Sequence, residues 1–128
     1  MFSRDGEGRE ENVLPYKYFM FPRQKRIRKA PDITFVLKRG KKLKTSLVTI
    51  SVYNKGRGLF RGLVICSRKV DKRATRRNSV KRRVREILRK EVESRLPFAD
   101  MVVEIQKGAA EATYQTLKTE ILNVLHLS

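Results

Sequence analysis

The stretch "RRNSVKRRVRE" (76–86) sets six cations and one amide within eleven residues. Side chains three and four apart share a helix face. At that spacing Asn78, Lys81, Arg82, Arg85 and Arg89 form one stripe, and Val80, Val84, Ile87 and Leu88 form an apolar one. Arginine binds phosphate bidentately and stacks on bases. An asparagine in a first helical turn lies beside free backbone N–H groups that attract anions. The expected chemistry is therefore recognition of a polyanion, with Arg76, Arg77, Asn78, Lys81, Arg82, Arg85 and Arg89 as contacts. A disordered basic tail has no reason to keep two such stripes. The competing reading is a solvated charged face carrying a Glu86–Lys90 i,i+4 pair.

The rest of the chain supports that chemistry. Its 128 residues carry 31 Lys or Arg against 13 Asp or Glu, a net charge of +18, which points to nucleic acid. The cations are clustered: residues 23–44 hold ten bases and Asp32, and residues 68–90 hold twelve bases and two acids. Nothing approaches the roughly 20 apolar residues of a membrane span. The first 21 residues do not read as a signal peptide, and Cys66 is the one cysteine, so the expectation is a cytoplasmic protein without disulfides or a zinc cluster. No carboxylate cluster or histidine pair suggests catalytic acid–base work, and neither catalytic nor metal-binding residues are expected.

The elements that hold the basic stripe follow from periodicity. Residues 1–20 read as a flexible extension and 21–128 as one domain. Pro31 and Asp32 start a helix, with Ile33, Val36 and Leu37 on one face, and Lys38, Arg39 and Gly40 stop it. "LVTISVY" (47–53) alternates as a half-buried strand, with Thr49, Ser51 and Tyr53 opposite Val48, Ile50 and Val52. "NKGRG" (54–58) is a turn, from which 59–66 pairs back as a hairpin. "MVVEI" (101–105) is a third strand, and 111–127 has helical spacing. The fold class is α+β, with about three helices on a small sheet.

These residues resemble the bacterial ribonuclease P protein family. "RRNSVKRRVRE" is similar to its arginine–asparagine helix signature, "CSRKVDK" (66–72) to the preceding turn, "FPRQKRIRKAPDITFVLKRGKKL" (21–43) to its first helix, and "ADMVVEIQKGA" (99–109) to its last strand. Four features depart from the pattern. Ser79 replaces a frequent third basic residue, the turn after Ser67 is one residue longer, Asp71 stands for a glycine, and Ile33 and Leu37 stand for two phenylalanines.

The resemblance implies a small mixed sheet with a left-handed βαβ crossover. It implies the protein subunit of a ribonucleoprotein endonuclease that removes the 5′ leader of precursor tRNA, with Mg²⁺ held mainly by the catalytic RNA. The implied partners are that RNA and precursor tRNA, with no membrane and no small-molecule substrate. Arg68 and Lys69 would extend the RNA-facing helix, and Ile33, Leu37, Thr49, Ser51 and Tyr53 would line a leader-binding cleft. The alternatives are a structural RNA-binding protein such as a ribosomal protein, and, last, a DNA-binding module, for which the flanking strands give no helix-turn-helix.

Overall fold

The computed structural model describes residues 25–127, so the expected extension over 1–20 lies outside the described residues. The chain runs α1 (Ala30–Arg39), β1 (Lys41–Lys44), β2 (Val48–Asn54), β3 (Arg61–Ile65), α2 (Ala74–Ile87), β4 (Ala99–Ile105) and α3 (Tyr114–Val124). A π-helical turn, Leu88–Val92, prolongs α2, and a short 3-10 turn, Ala109–Glu111, precedes α3. The α+β class is as expected.

Pro31 and Asp32 lie in the first turn of α1 and Lys38 and Arg39 in its last. Gly40 ends it for a steric reason. A Cβ there would lie 2.5 Å from the Val36 carbonyl oxygen and 2.9 Å from that of Val52, both backbone atoms. Thr113 caps α3 by accepting the Thr116 N–H at 3.1 Å.

The four strands lie in the order β1-β2-β4-β3. β2 is antiparallel to β1 and to β4, while β3 is parallel to β4, with Leu63 opposite Val102. The expected hairpin between β2 and 59–66 is thereby corrected. β4 inserts between them, and α2 is the crossover that joins β3 to its parallel neighbour. On its other side β3 meets Arg26, which bridges Gly62, with the Ile27 N–H donating to the Gly62 carbonyl at 3.2 Å.

A second correction concerns the faces of the sheet. Val48, Ile50, Met101, Val103 and Ile105 join Val80, Val84, Ile87, Leu117 and Ile121 in the main core under α2 and α3. The opposite face is also covered. Val102 packs with Ile27 and Val36, flanked by Ile33, Tyr53 and Leu63, beneath α1. β2 is therefore buried on both faces rather than half-buried, with Thr49 6% and Ser51 2% exposed. The apolar face of α1 is correspondingly narrow: Val36 is buried, Ile33 is partly buried and Leu37 is 37% exposed.

Candidate nucleic-acid interface

α2 presents its cations because its apolar stripe is fixed. Val80, Val84 and Ile87 are wholly buried, which turns the other faces of the helix outward. The helix start lacks a side-chain cap on Arg73. Asp71 organises it instead, accepting the Arg73 backbone N–H at 2.9 Å and its Nε at 3.1 Å, with Arg76 Nε at 3.5 Å. These bonds, the Arg73 side chain first, hold the Asp71 carboxyl below the usual carboxylate range. Arg77 completes the staple by donating to the Asp71 and Lys72 carbonyls at 3.0 and 2.9 Å. Asp71 thus shapes the turn that delivers α2. Arg68 and Lys69 are exposed on that turn.

Two groups of cations result. Arg77, Lys81 and Arg85 follow one another along α2, with Arg77 and Lys81 near Cys66 and Arg85 near Lys81. Burial lowers the affinity of the Lys81 ammonium for its proton, and Arg85 and Arg77 lower it further, against a smaller opposing effect of Cys66. Burial raises the Cys66 thiol, although Lys81 and Arg77 oppose this. Arg85 also joins Arg26 and Arg28 around a groove floored by Ile27, Gly62, Leu63 and Val64. The second group, Arg82 and Arg89, is exposed, as is Asn78. Arg76 is partly exposed and shared with Glu111 at 3.3 Å.

Not every arginine on α2 faces outward. Arg83 donates to the Ala112 carbonyl at 3.1 Å and to Ser79 Oγ at 3.2 Å, tying α2 to the start of α3. Ser79 and the Ala112 carbonyl are the partners that fix it. The Glu86–Lys90 pair expected from the spacing is present at 2.9 Å, and it raises the Lys90 proton affinity.

Thr49, Ser51 and Tyr53 alternate onto the α1 face of β2, and the five cleft candidates differ in exposure. Leu37 is exposed, Ile33 and Tyr53 are partly buried, and Thr49 and Ser51 are covered. Thr49 Oγ1 accepts from Gln106 Nε2 at 3.0 Å. Tyr53 meets the opposite flank of α1, where it contacts Phe35. Sequence reasoning placed neither Arg26 and Arg28 nor two lysines of β1 in the site. Lys42 lies opposite Ser51 and Lys44 opposite Thr49, so both point to the α1 side of the sheet, as does Glu104 across β4. The signal for Arg26 and Arg28 was their place just before the first helix. The lysines had none, because β1 was not recognised as a strand.

Among the described residues no helix is long and apolar enough to cross a membrane, and no three of His, Cys, Asp and Glu stand together as metal donors. Fold and surface define the class: a small α+β domain with one strongly cationic helix on its surface. The sequence model of the family described as Ribonuclease P matches residues 21–127, and the chain belongs to that family. The chain is 32% identical to the ribonuclease P protein component of Thermotoga maritima, over 82% of this chain and 92% of that one. It is 30% identical to the component from Cyanothece sp., over 83% and 93%. Among solved structures, the RNase P protein of Staphylococcus aureus superposes with a TM-score of 0.70 at 25% identity, covering 80% of this chain and 94% of that one. That of Thermotoga maritima gives 0.68 at 30% identity, covering 78% and 94%.

Proposed function

We propose that this chain is the protein subunit of ribonuclease P, binding the catalytic RNA through α2 and the 5′ leader of precursor tRNA beside α1. The observation that carries the reading is the outward row of cations on a helix whose other side is locked into the core. Such a row neutralises phosphates and releases counterions. Arg68, Lys69 and Arg76 extend the row at its start, and Arg89 at its end. The groove of Arg26, Arg28 and Arg85 adds a second path for backbone phosphates.

For the leader, Leu37 supplies the exposed apolar wall and Ile33 the layer behind it, while Thr49 and Ser51 form a covered floor. Lys42 and Lys44 supply charge on that side of the sheet. The chain's own donors do not build a metal site among the described residues, and the reading assigns Mg²⁺ and the attacking water to the RNA. The protein's share is to neutralise phosphate repulsion and hold the two RNAs in register. The reaction is endonucleolytic removal of the leader, giving a mature 5′ end that carries the phosphate, in the cytoplasm.

The test is cleavage of precursor tRNA by a bacterial catalytic RNA at low Mg²⁺, with and without this protein. Acceleration by the protein, with no cleavage by protein alone, is expected. Failure to accelerate, with binding retained, would return the chain to the class of structural RNA-binding proteins.

A further inference from the structure

Phe35 is 44% exposed on α1. Residues 35 and 37 are about 200° apart around a helix, so Phe35 lies across α1 from Leu37 and outside the leader surface proposed above. Its ring meets Tyr53 of β2 in a T-shaped contact, with centroids 5.0 Å apart and planes at 84°. Arg39, one turn further on, holds its guanidinium carbon 6.0 Å from the Phe35 centroid. Among the described residues, the open hollow beside the ring is lined by Ala30, Pro31, Thr34, Phe35, Lys38 and Arg39, two cations and no acid. Asp32, three residues before Phe35, is engaged by Arg61 at 3.4 Å.

A single exposed aromatic is ordinary on a protein surface. Here the ring is held by a second ring, carries a cation over it, and borders a hollow whose charge is positive. Bases offer a flat π-face of any sequence, arginine stacks on it, and the phosphates on either side need cations. An acidic peptide would satisfy the charges but gives the ring no face to stack.

We infer that Phe35, Tyr53 and Arg39 form a stacking subsite for one unpaired base of single-stranded RNA, with Lys38 and Arg39 beside its phosphates. The base lies on the Phe35 ring, and Tyr53 keeps that ring from turning away. This subsite is distinct from the α2 surface. It stands or falls on oligonucleotide binding by the protein alone, whereas the subunit role is decided by precursor cleavage.

The experiment compares a short fluorescein-labelled oligoadenylate with a ribose-phosphate strand of the same length lacking bases. Phe35→Leu keeps an apolar side chain at an exposed position, and its fold is checked by circular dichroism. It should weaken oligoadenylate binding about tenfold and leave the baseless strand unchanged. Phe35→Trp should retain affinity, and its indole emission should be quenched by oligoadenylate but not by the baseless strand. If Phe35→Leu binds oligoadenylate as tightly as the unsubstituted protein, or loses the same factor with both strands, there is no stacking subsite. Quenching of the Phe35→Trp indole by polyglutamate in place of oligoadenylate would assign the surface to a protein partner and overturn the inference.

Discussion

Arg61 and Asp100 face each other across the parallel strands β3 and β4, with Nε to Oδ1 at 3.0 Å and Nη2 to Oδ2 at 2.7 Å. Lys55 adds its ammonium 2.8 Å from the same carboxylate, and Arg61 reaches on to Asp32 of α1. One buried acid thus links α1, the β2–β3 connection and the centre of the sheet. Burial pushes the Asp100 carboxyl up, but the bonds and charges of Arg61 and Lys55 together outweigh it and the net shift is downward. Asp100→Ala should cost about 2 kcal/mol by chemical denaturation. That is below the roughly 3–5 for a fully buried pair, because both cations keep some contact with water.

The pH dependence of that link has a definite sign. The folded-state pKa of Asp100 lies below its unfolded value, so the contribution is complete above the ordinary carboxylate range. It is lost as pH falls through the depressed folded value. The stability gap between the unsubstituted protein and Asp100→Asn should therefore narrow as acid is added. A gap that stays constant into strong acid would show that the charge of Asp100 is not what stabilises the fold.

Lys81 and Arg83 sit two residues apart on α2 and should behave in opposite ways. The Lys81 proton affinity is lowered by burial and by Arg85 and Arg77, so its charge opposes folding at neutral pH. Lys81→Gln should melt no lower than the unsubstituted protein, yet reduce the slope of log affinity for RNA against log salt by about one. Arg83→Ala should leave that slope unchanged and cost about 1 kcal/mol, through the bonds lost to Ala112 and Ser79. Thermal melts and salt titrations on both variants distinguish the two roles.

Gly40→Ala should destabilise the fold by roughly 2 kcal/mol, since overpacking against rigid atoms costs about 1–3. The added methyl meets two backbone carbonyls, at Val36 and Val52, and neither can swing aside as a side chain would. Urea denaturation measures it, and a loss near zero would mean that α1 and β2 separate easily.

Leu37→Glu places a carboxylate where the leader is proposed to run. With folding confirmed, the variant in reconstituted holoenzyme should lose affinity for precursor carrying a leader of several nucleotides and keep its affinity for mature tRNA. An equal loss at every leader length would remove Leu37 from the leader surface.

Much of this architecture was legible in the residues, and the exceptions share a cause. α2 announced itself because its two stripes are local, and α1 because Pro31, Asp32 and Gly40 mark its ends. The partner of β3 was not legible. The turn-like residues after Asn54 suggest a return strand, whereas pairing is decided by a segment some 40 residues later. β1 was hidden by three lysines in four residues, a composition that suits a sheet edge open to water. The cover over Thr49 and Ser51 had one hint, the unbroken apolar run of Met101, Val102 and Val103, which signals a strand buried on both faces. The site divides the same way: the α2 surface follows from periodicity, while the surroundings of Leu37 and Phe35 depend on how α1 crosses the sheet.

The central position of β4 has a consequence for the growing chain. It is the last strand to be synthesised, and both β2 and β3 depend on it for a neighbour inside the sheet. Until residue 105 is free of the ribosome, β2 pairs with β1 alone and the parallel pair does not exist. The cationic segment 74–90 is therefore made before the floor it folds onto, among the phosphates of the ribosomal RNA that surrounds it. Non-local pairing slows folding, so the order of synthesis leaves an interval in which this charge is exposed on an unfinished domain. A nascent chain halted before β4 should hold to polyanions without a defined shape, and release from them should coincide with closure of the sheet.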